Sequence, residues 1–270
     1  EMPGGFQGSF VATVVSGGPV AAVSNNVNYD VVGDGTAAYN AFISGVPAAA
    51  PAFSLIVDPV DATNLVGEEH TLTATLFFNG QPVDDVPIIF TVEGANSANG
   101  QDVTDSTGEA TFTYTGQNTG EDIITVCADL NGSSSCASTE PTATATKTWI
   151  EGTLEVEPTT VPEAQVGDNI VDATATLTVT GGSVPVLLRL VDGDVTPGLA
   201  NASFAACPAN TNTAAGSAGT FTASIYVCSY VNDGTNDTLD VEAYWDVDAS
   251  GTVTGPDVPL GTVTVTVTDS

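Results

Sequence analysis

Near its C-terminus the chain reads Gly261-Thr262-Val263-Thr264-Val265-Thr266-Val267-Thr268, a strict alternation of threonine and valine. Successive side chains of an extended strand point to opposite faces, so this period of two makes the segment a half-buried strand. The same rhythm recurs along the chain. Leu72, Ala74 and Leu76 alternate with Thr71, Thr73 and Thr75, and Ile88, Phe90 and Val92 repeat the pattern. Ala110, Phe112 and Tyr114 lead another strand, and Ile123 to Ala128 and Ala143 to Trp149 read as two more. Asn79-Gly80 and Thr107-Gly108 supply tight turns, and Pro82 fits only an edge or a turn. About seven short strands at this spacing predict an antiparallel β-sandwich over 53–150.

One stretch is specific enough to compare with a known family. It runs Gly67-Glu68-Glu69-His70-Thr71-Leu72-Thr73-Ala74-Thr75, then Asn79-Gly80-Gln81-Pro82-Val83 and Val86-Pro87-Ile88-Ile89-Phe90-Thr91-Val92. Thr104-Asp105-Ser106-Thr107-Gly108-Glu109-Ala110-Thr111-Phe112-Thr113-Tyr114-Thr115-Gly116 and Ala145-Thr146-Lys147-Thr148-Trp149 follow in order. The run resembles a bacterial immunoglobulin-like (Ig-like) domain of the invasin/intimin kind (group 1). The resemblance implies a secreted or surface-displayed sandwich that serves as a building block and not as a catalyst.

The pattern then starts again. Leu154-Glu155-Val156-Glu157-Pro158 echoes Leu55-Ile56-Val57-Asp58-Pro59, and Val166-Gly167-Asp168 followed by Ala173 to Val179 echoes Val66-Gly67-Glu68 followed by Thr71 to Leu76. A repeat at a period of about 100 residues predicts a second Ig-like sandwich over 151–270. Trp149-Ile150-Glu151-Gly152-Thr153 reads as the connection. Residues 1–52 are too short for a sandwich but hold a strand at Ser9, Phe10, Val11, Ala12, Thr13, Val14 and Val15, and a weaker one around Asn28 to Val32. The expected fold is therefore all-β: tandem Ig-like antiparallel β-sandwiches preceded by a strand-forming N-terminal segment.

Charge narrows the partners. The chain carries 33 acidic residues against two basic ones, for a formal charge of −31. Nucleic-acid binding depends on cationic neutralisation of phosphates, so nucleic acid is excluded as a partner. Anionic headgroups repel the same surface, and no apolar run reaches the length of a membrane helix. Dense assembly at this charge requires salt, acid or bound cations. With 42% apolar residues the chain is nonetheless expected to fold, not to remain disordered. The first residues lack the basic and apolar blocks of a signal peptide, as expected of a secreted chain whose leader has been removed.

Four cysteines agree with an oxidising compartment. Cys127 and Cys136 flank a short loop in the first sandwich, and Cys207 and Cys228 flank a Thr/Ala/Gly/Asn-rich stretch in the second. Four cysteines allow three pairings, of which the local one, Cys127–Cys136 with Cys207–Cys228, is expected.

One constellation carries specific chemistry. Asp246-Val247-Asp248-Ala249-Ser250-Gly251-Thr252-Val253-Thr254-Gly255-Pro256-Asp257 places oxygen-bearing side chains at loop positions 1, 3, 5, 9 and 12, with glycine at 6 and an apolar residue at 8. Hard oxygens at alternating positions, a sharp turn and a closing carboxylate are what a calcium loop needs. The segment resembles the calcium loops of EF-hands and dockerin modules in the loop alone, because its flanks read as strands. Calcium is thus the expected cofactor, with Asp246, Asp248, Ser250, Thr252, Thr254 and Asp257 as ligands; an Asp/Gly-rich hairpin turn is the alternative. Asn131, Asn201 and Asn236 head sequons for N-glycosylation. His70, the single histidine, lies at a strand start and is expected to be structural. No Ser-His or Cys-His set and no phosphate-cradling glycine loop offers nucleophilic chemistry, so no enzyme is expected.

These features point to a structural subunit of an extracellular filament, sheath or surface layer. The strand at Ser9–Val15 would add to a neighbouring copy's sheet edge, giving a homopolymer. A surface adhesin or carbohydrate-binding module, with a host or matrix polymer as partner, is the competing expectation.

Overall fold

The fold is organised around one long strand, Thr142–Glu157, which belongs to both halves of the main body. The computed structural model describes residues 52–162, 165, 170–192, 201–207, 211–217, 219–229 and 234–269, and the backbone of 25–27 and 36–38. It divides into two units, Glu1–Phe53 and Ser54–Ser270. In the first, β1 (Asn25–Val27) pairs antiparallel with β2 (Thr36–Ala38). The expected strands at Ser9–Val15 and Asn28–Val32 lie outside the described residues.

The second unit begins with β3 (Phe53–Asp58), β4 (Asp61–Leu65), β5 (Glu69–Phe78), β6 (Gln81–Pro82), β7 (Pro87–Gly94), β8 (Ala98–Val103), β9 (Glu109–Thr115) and β10 (Gly120–Ala128). The long strand is β11. It leads to β12 (Thr160–Pro162), β13 (Ala173–Thr180), β14 (Pro185–Asp192), β15 (Asn201–Ser203), β16 (Thr213–Ser217), β17 (Thr220–Ser229), β18 (Asp237–Trp245) and β19 (Val258–Thr268). The alternating segments become strands with their apolar residues inward, as β5 shows by burying His70, Leu72, Ala74 and Leu76 while Thr71 stays exposed. Among the described residues no helix is long and apolar enough to cross a membrane.

Three sheets make two sandwiches. An eight-stranded sheet runs β15-β17-β13-β11-β10-β7-β8, with β4 added beside β11. A four-stranded sheet of β3, β5, β6 and β9 covers the first core, and a five-stranded sheet, β12-β19-β18-β14-β16, covers the second. β4 and β12, early in each sandwich, lie parallel to the last strands, β11 and β19, whereas the neighbours of β7, β10, β13 and β18 pair antiparallel. Leu55 through Trp149 supply the first core, and Ile150 through Val267 the second.

The connection expected at Trp149–Thr153 is not a linker but the middle of β11. Its N-terminal part pairs with β10 up to Trp149, and its C-terminal part pairs with β13 from Glu151. Ala145, Lys147 and Trp149 are buried toward the first core, whereas Ile150 and Val156 are buried in the second. With a side-chain period of two, these odd and even positions place the two cores on opposite faces of β11. Ile150 also accepts the Val66 N–H at 3.0 Å through its carbonyl. Gly181, in the β13–β14 turn, has a φ of +88° and lies so close that a Cβ there would stand 2.0 Å from the Trp149 carbonyl oxygen. Only glycine satisfies both the backbone angle and the close approach.

A buried polar cluster fixes Trp149. The wholly buried Asp122 accepts hydrogen bonds from Trp149 Nε1 (2.8 Å), Tyr114 OH (3.2 Å), Asn96 N (2.6 Å) and Asn96 Nδ2 (3.1 Å). Four donors compensate the desolvation of that carboxylate. His70 packs edge-on against Tyr114 and Trp149, as a structural histidine should. Burial, reinforced by the charge of Lys147, lowers its pKa to about 4. Between that value and the ordinary 6.5 the unfolded chain binds a proton that the folded chain does not. Stability from His70 is therefore complete above pH 6.5 and falls as pH drops toward about 4. Urea unfolding across that range should show this slope, and His70→Gln should flatten it.

Candidate functional site

The Asp246–Asp257 segment forms the hairpin loop between β18 and β19, and its first carboxylate is anchored inside the protein. Asp246 is 3% exposed, and its N–H donates to the Pro185 carbonyl at 3.0 Å. Asp246 Oδ1 accepts the Ser250 N–H at 3.0 Å and Oδ2 the Gly251 N–H at 2.9 Å. Asp248 Oδ1 also accepts from Ser250 N, at 3.0 Å, and its Oδ2 accepts from Thr254 Oγ1 at 2.9 Å. Asp257 closes the ring by accepting from Val247 N (3.1 Å) and Thr254 N (2.7 Å). Ser250 Oγ donates to the Thr252 carbonyl at 2.8 Å. Ala249 and Gly251, with φ of 52° and 70°, provide the two left-handed residues that let the chain turn this tightly.

The arrangement brings one oxygen from each of Asp246, Asp248 and Asp257 within 4.8 Å of the others. Ser250, Thr252 and Thr254 join the same ring through hydrogen bonds. Hydrogen bonds from Ser250 and then Thr254 hold the Asp248 carboxyl below the usual carboxylate range, which keeps it ionised. Three anionic oxygens this close repel one another, and a hard divalent cation is the species that would relieve them.

The β10–β11 hairpin repeats the main-chain hydrogen bonds of this loop position by position, which its sequence does not advertise. Asp129-Leu130-Asn131-Gly132-Ser133-Ser134-Ser135-Cys136-Ala137-Ser138-Thr139-Glu140 occupies the same place after the strand that precedes the last one. Asp129 accepts from Ser133 N (3.0 Å) and Ser134 N (2.8 Å), as Asp246 does from Ser250 and Gly251. Asn131 Oδ1 accepts from Ser133 N at 2.8 Å, in the role of Asp248. Ser133 Oγ donates to the Ser135 carbonyl at 2.9 Å, in the role of Ser250. Glu140 accepts from Leu130 N (3.0 Å) and Ala137 N (2.8 Å), in the role of Asp257. Gly132 and Ser134 carry the left-handed φ values, 71° and 57°. The recurring spacing Asp-x-Asn-x-Ser with a glutamate at position 12 was the available signal; Ser134 at the usual glycine position concealed it.

Two disulfides frame these regions. Cys127–Cys136 ties the end of β10 to the first loop, and Cys207–Cys228 ties the segment after β15 to β17. Among the sequons, Asn131 and Asn236 are exposed, whereas Asn201 opens β15. Asn236 accepts the Asp269 N–H at 3.2 Å. The strand expected at Ser9–Val15 lies outside the described residues.

No family model and no curated protein matches the sequence. Among solved structures, the chain is similar to the C-terminal fragment of intimin in complex with the intimin-binding domain of the translocated intimin receptor. That likeness has 16% identity and a TM-score of 0.42, over 81% of this chain and 63% of the fragment. The Yersinia pseudotuberculosis adhesin InvE is similar at 19% identity and a TM-score of 0.27, over 77% of this chain and 58% of that one. Domains 5–6 of the S-layer protein SbsC are similar at 16% identity and a TM-score of 0.25, covering 82% and 99% of the two chains. The class that the sheets of the chain themselves define is an all-β protein of tandem Ig-like sandwiches.

Removing the buried carboxylate should loosen the second loop even without metal, because the Gly251 N–H loses its acceptor and the Ser250 N–H keeps only Asp248 Oδ1. Asp246→Ala in the presence of chelator should cost roughly 1–3 kcal/mol by urea unfolding.

Proposed function

We propose that this chain is a structural subunit of an extracellular assembly, a filament, sheath or surface layer. The observation that carries this reading is the single sheet running through both sandwiches. Tension applied along such a subunit passes through β11 and its ladders instead of a flexible linker. The two disulfides suit an oxidising, extracellular setting. Copies would join head to tail, the strand expected at Ser9–Val15 of one adding to an open sheet edge of the next. Purified protein should form ordered fibres or sheets by negative-stain electron microscopy, and deletion of residues 1–16 should leave soluble particles. Isolated particles from the intact chain would favour the competing reading, adhesion to a host or matrix polymer.

Calcium is the cofactor of this reading. The loops at 246–257 and 129–140 would each take one ion, through Asp246, Asp248 and Asp257 in one and Asp129, Asn131 and Glu140 in the other, assisted by loop carbonyls and hydroxyls. Bound cations would also offset the repulsion among neighbouring subunits of charge −31. Calcium should raise the melting temperature by mass action, as a ligand of the folded state does. Asp246→Ala with Asp248→Ala should remove part of that rise, and Asp129→Ala with Glu140→Ala the rest. An unchanged calcium response in both double variants would exclude the loops as sites.

A further inference from the structure

We propose that the chain cross-links itself, joining Lys147 Nζ to Asn64 Cγ through an amide bond within the first sandwich. The chain has only two basic residues, and Lys147 is one of them, yet its side chain is wholly buried. Its Nζ lies 2.6 Å from Asn64 Oδ1 and 4.6 Å from the centre of the Trp149 ring. The one ion pair among the described residues is Arg189 with Glu242, so no described carboxylate oxygen lies at ion-pair distance from Lys147. A cation buried on these terms is costly. Conversion to a neutral amide removes that cost.

The fold presents the two groups to each other. β4 and β11 lie parallel, with Ala62 beside Lys147 and Asn64 beside Trp149, so the side chains of Asn64 and Lys147 meet across the ladder. Asn64 Nδ2 donates to the Glu69 carbonyl at 3.1 Å, which fixes the carboxamide with its oxygen toward Nζ. Held in contact by the fold, amine and carbonyl react as one molecule and not as two. Burial lowers the lysine pKa to about 8, which favours the neutral, nucleophilic amine. Glu68 exerts the strongest of the acidic fields on Lys147, and its carboxylate is held beside Asn64 by the Leu65 N–H at 3.2 Å.

The chemistry balances without an oxidant or a cofactor. The exposed Glu68 carboxylate, beyond ion-pair distance, takes a proton from the Lys147 ammonium through an intervening water, and the freed amine attacks Asn64 Cγ. The tetrahedral centre collapses with cleavage of the Cγ–Nδ2 bond. Glu68 returns its proton to the departing nitrogen, which takes a second from the attacking Nζ and leaves as ammonium. Lysine ammonium and carboxamide thus become one secondary amide and one ammonium ion. The bond would close the chain across 83 residues and tie the early strand β4 to the last strand of the sandwich. It would restrict the unfolded state much as a disulfide does.

Tryptic digestion of the full-length chain, reduced, alkylated and denatured, tests this directly. Acylated Lys147 is no longer a tryptic site, so cleavage should occur after Arg189 alone. The intact mass of the reduced chain should fall below the sequence mass by one ammonia. Glu68→Gln, an exposed position, and Asn64→Ala should each restore cleavage after Lys147 and remove the deficit. A wild-type chain cut after Lys147 and showing the full sequence mass would overturn the cross-link. A cross-link that survives Glu68→Gln would overturn the part given to Glu68.

Discussion

Continuity of β11 through the point where the two sandwiches meet is the constraint on which the rest of the second unit depends. A strand has two faces, and here each face serves a different core. Trp149 closes one and Ile150 opens the other, with no residue between them. Everything around this point follows from the need to keep the strand extended while its neighbours change. β10 and β4 leave, β13 takes over, and the β13–β14 turn fits against the Trp149 carbonyl only because Gly181 has no Cβ. The buried Asp122 cluster then holds the Trp149 indole. Few flexible groups remain at the junction, and independent motion of the two sandwiches would require breaking strand ladders.

The second recurring theme is management of negative charge. With almost no lysine or arginine available, carboxylates are neutralised by backbone N–H groups. Asp122, Asp129, Glu140, Asp246 and Asp257 each accept main-chain donors. This compensates desolvation without a salt bridge, at the cost of confining these acids to loops and strand ends where N–H groups are free. The two basic residues follow different rules: Arg189 pairs with Glu242, and Lys147 is withdrawn from solvent against an asparagine.

Much of the fold was legible because β-structure writes its period into sequence. The Thr/Val run of β19, the Leu72-Ala74-Leu76 face of β5 and the Ala173 to Val179 echo are strands for the reason expected. The junction was less legible. Trp149 and Ile150 interrupt the alternation with two adjacent apolar residues and Gly152 follows, which reads as a break although it records an exchange of faces. β8, Ala98–Val103, was also missed, because Asn99, Gly100, Gln101 and Asp102 carry no apolar face. Gly100 lies against the Phe112 ring, which supplies the cover that its own side chain lacks. The loop at 246–257 was visible through its glycine and spaced oxygens. Its twin at 129–140 was hidden by Ser134 and by a cysteine that drew the reading toward a disulfide. The contact between Asn64 and Lys147 depends on parallel pairing of strands distant in sequence, which no local pattern encodes.

Amide hydrogen exchange through Thr148–Thr153 tests the continuity of β11 most directly. Protection of the alternate amides that donate into the β10 and β13 ladders, to the same degree as their partners, is the result predicted for one strand shared by two sandwiches. Rapid exchange at Ile150 to Thr153, set between protected segments on either side, would show a linker there and contradict the account.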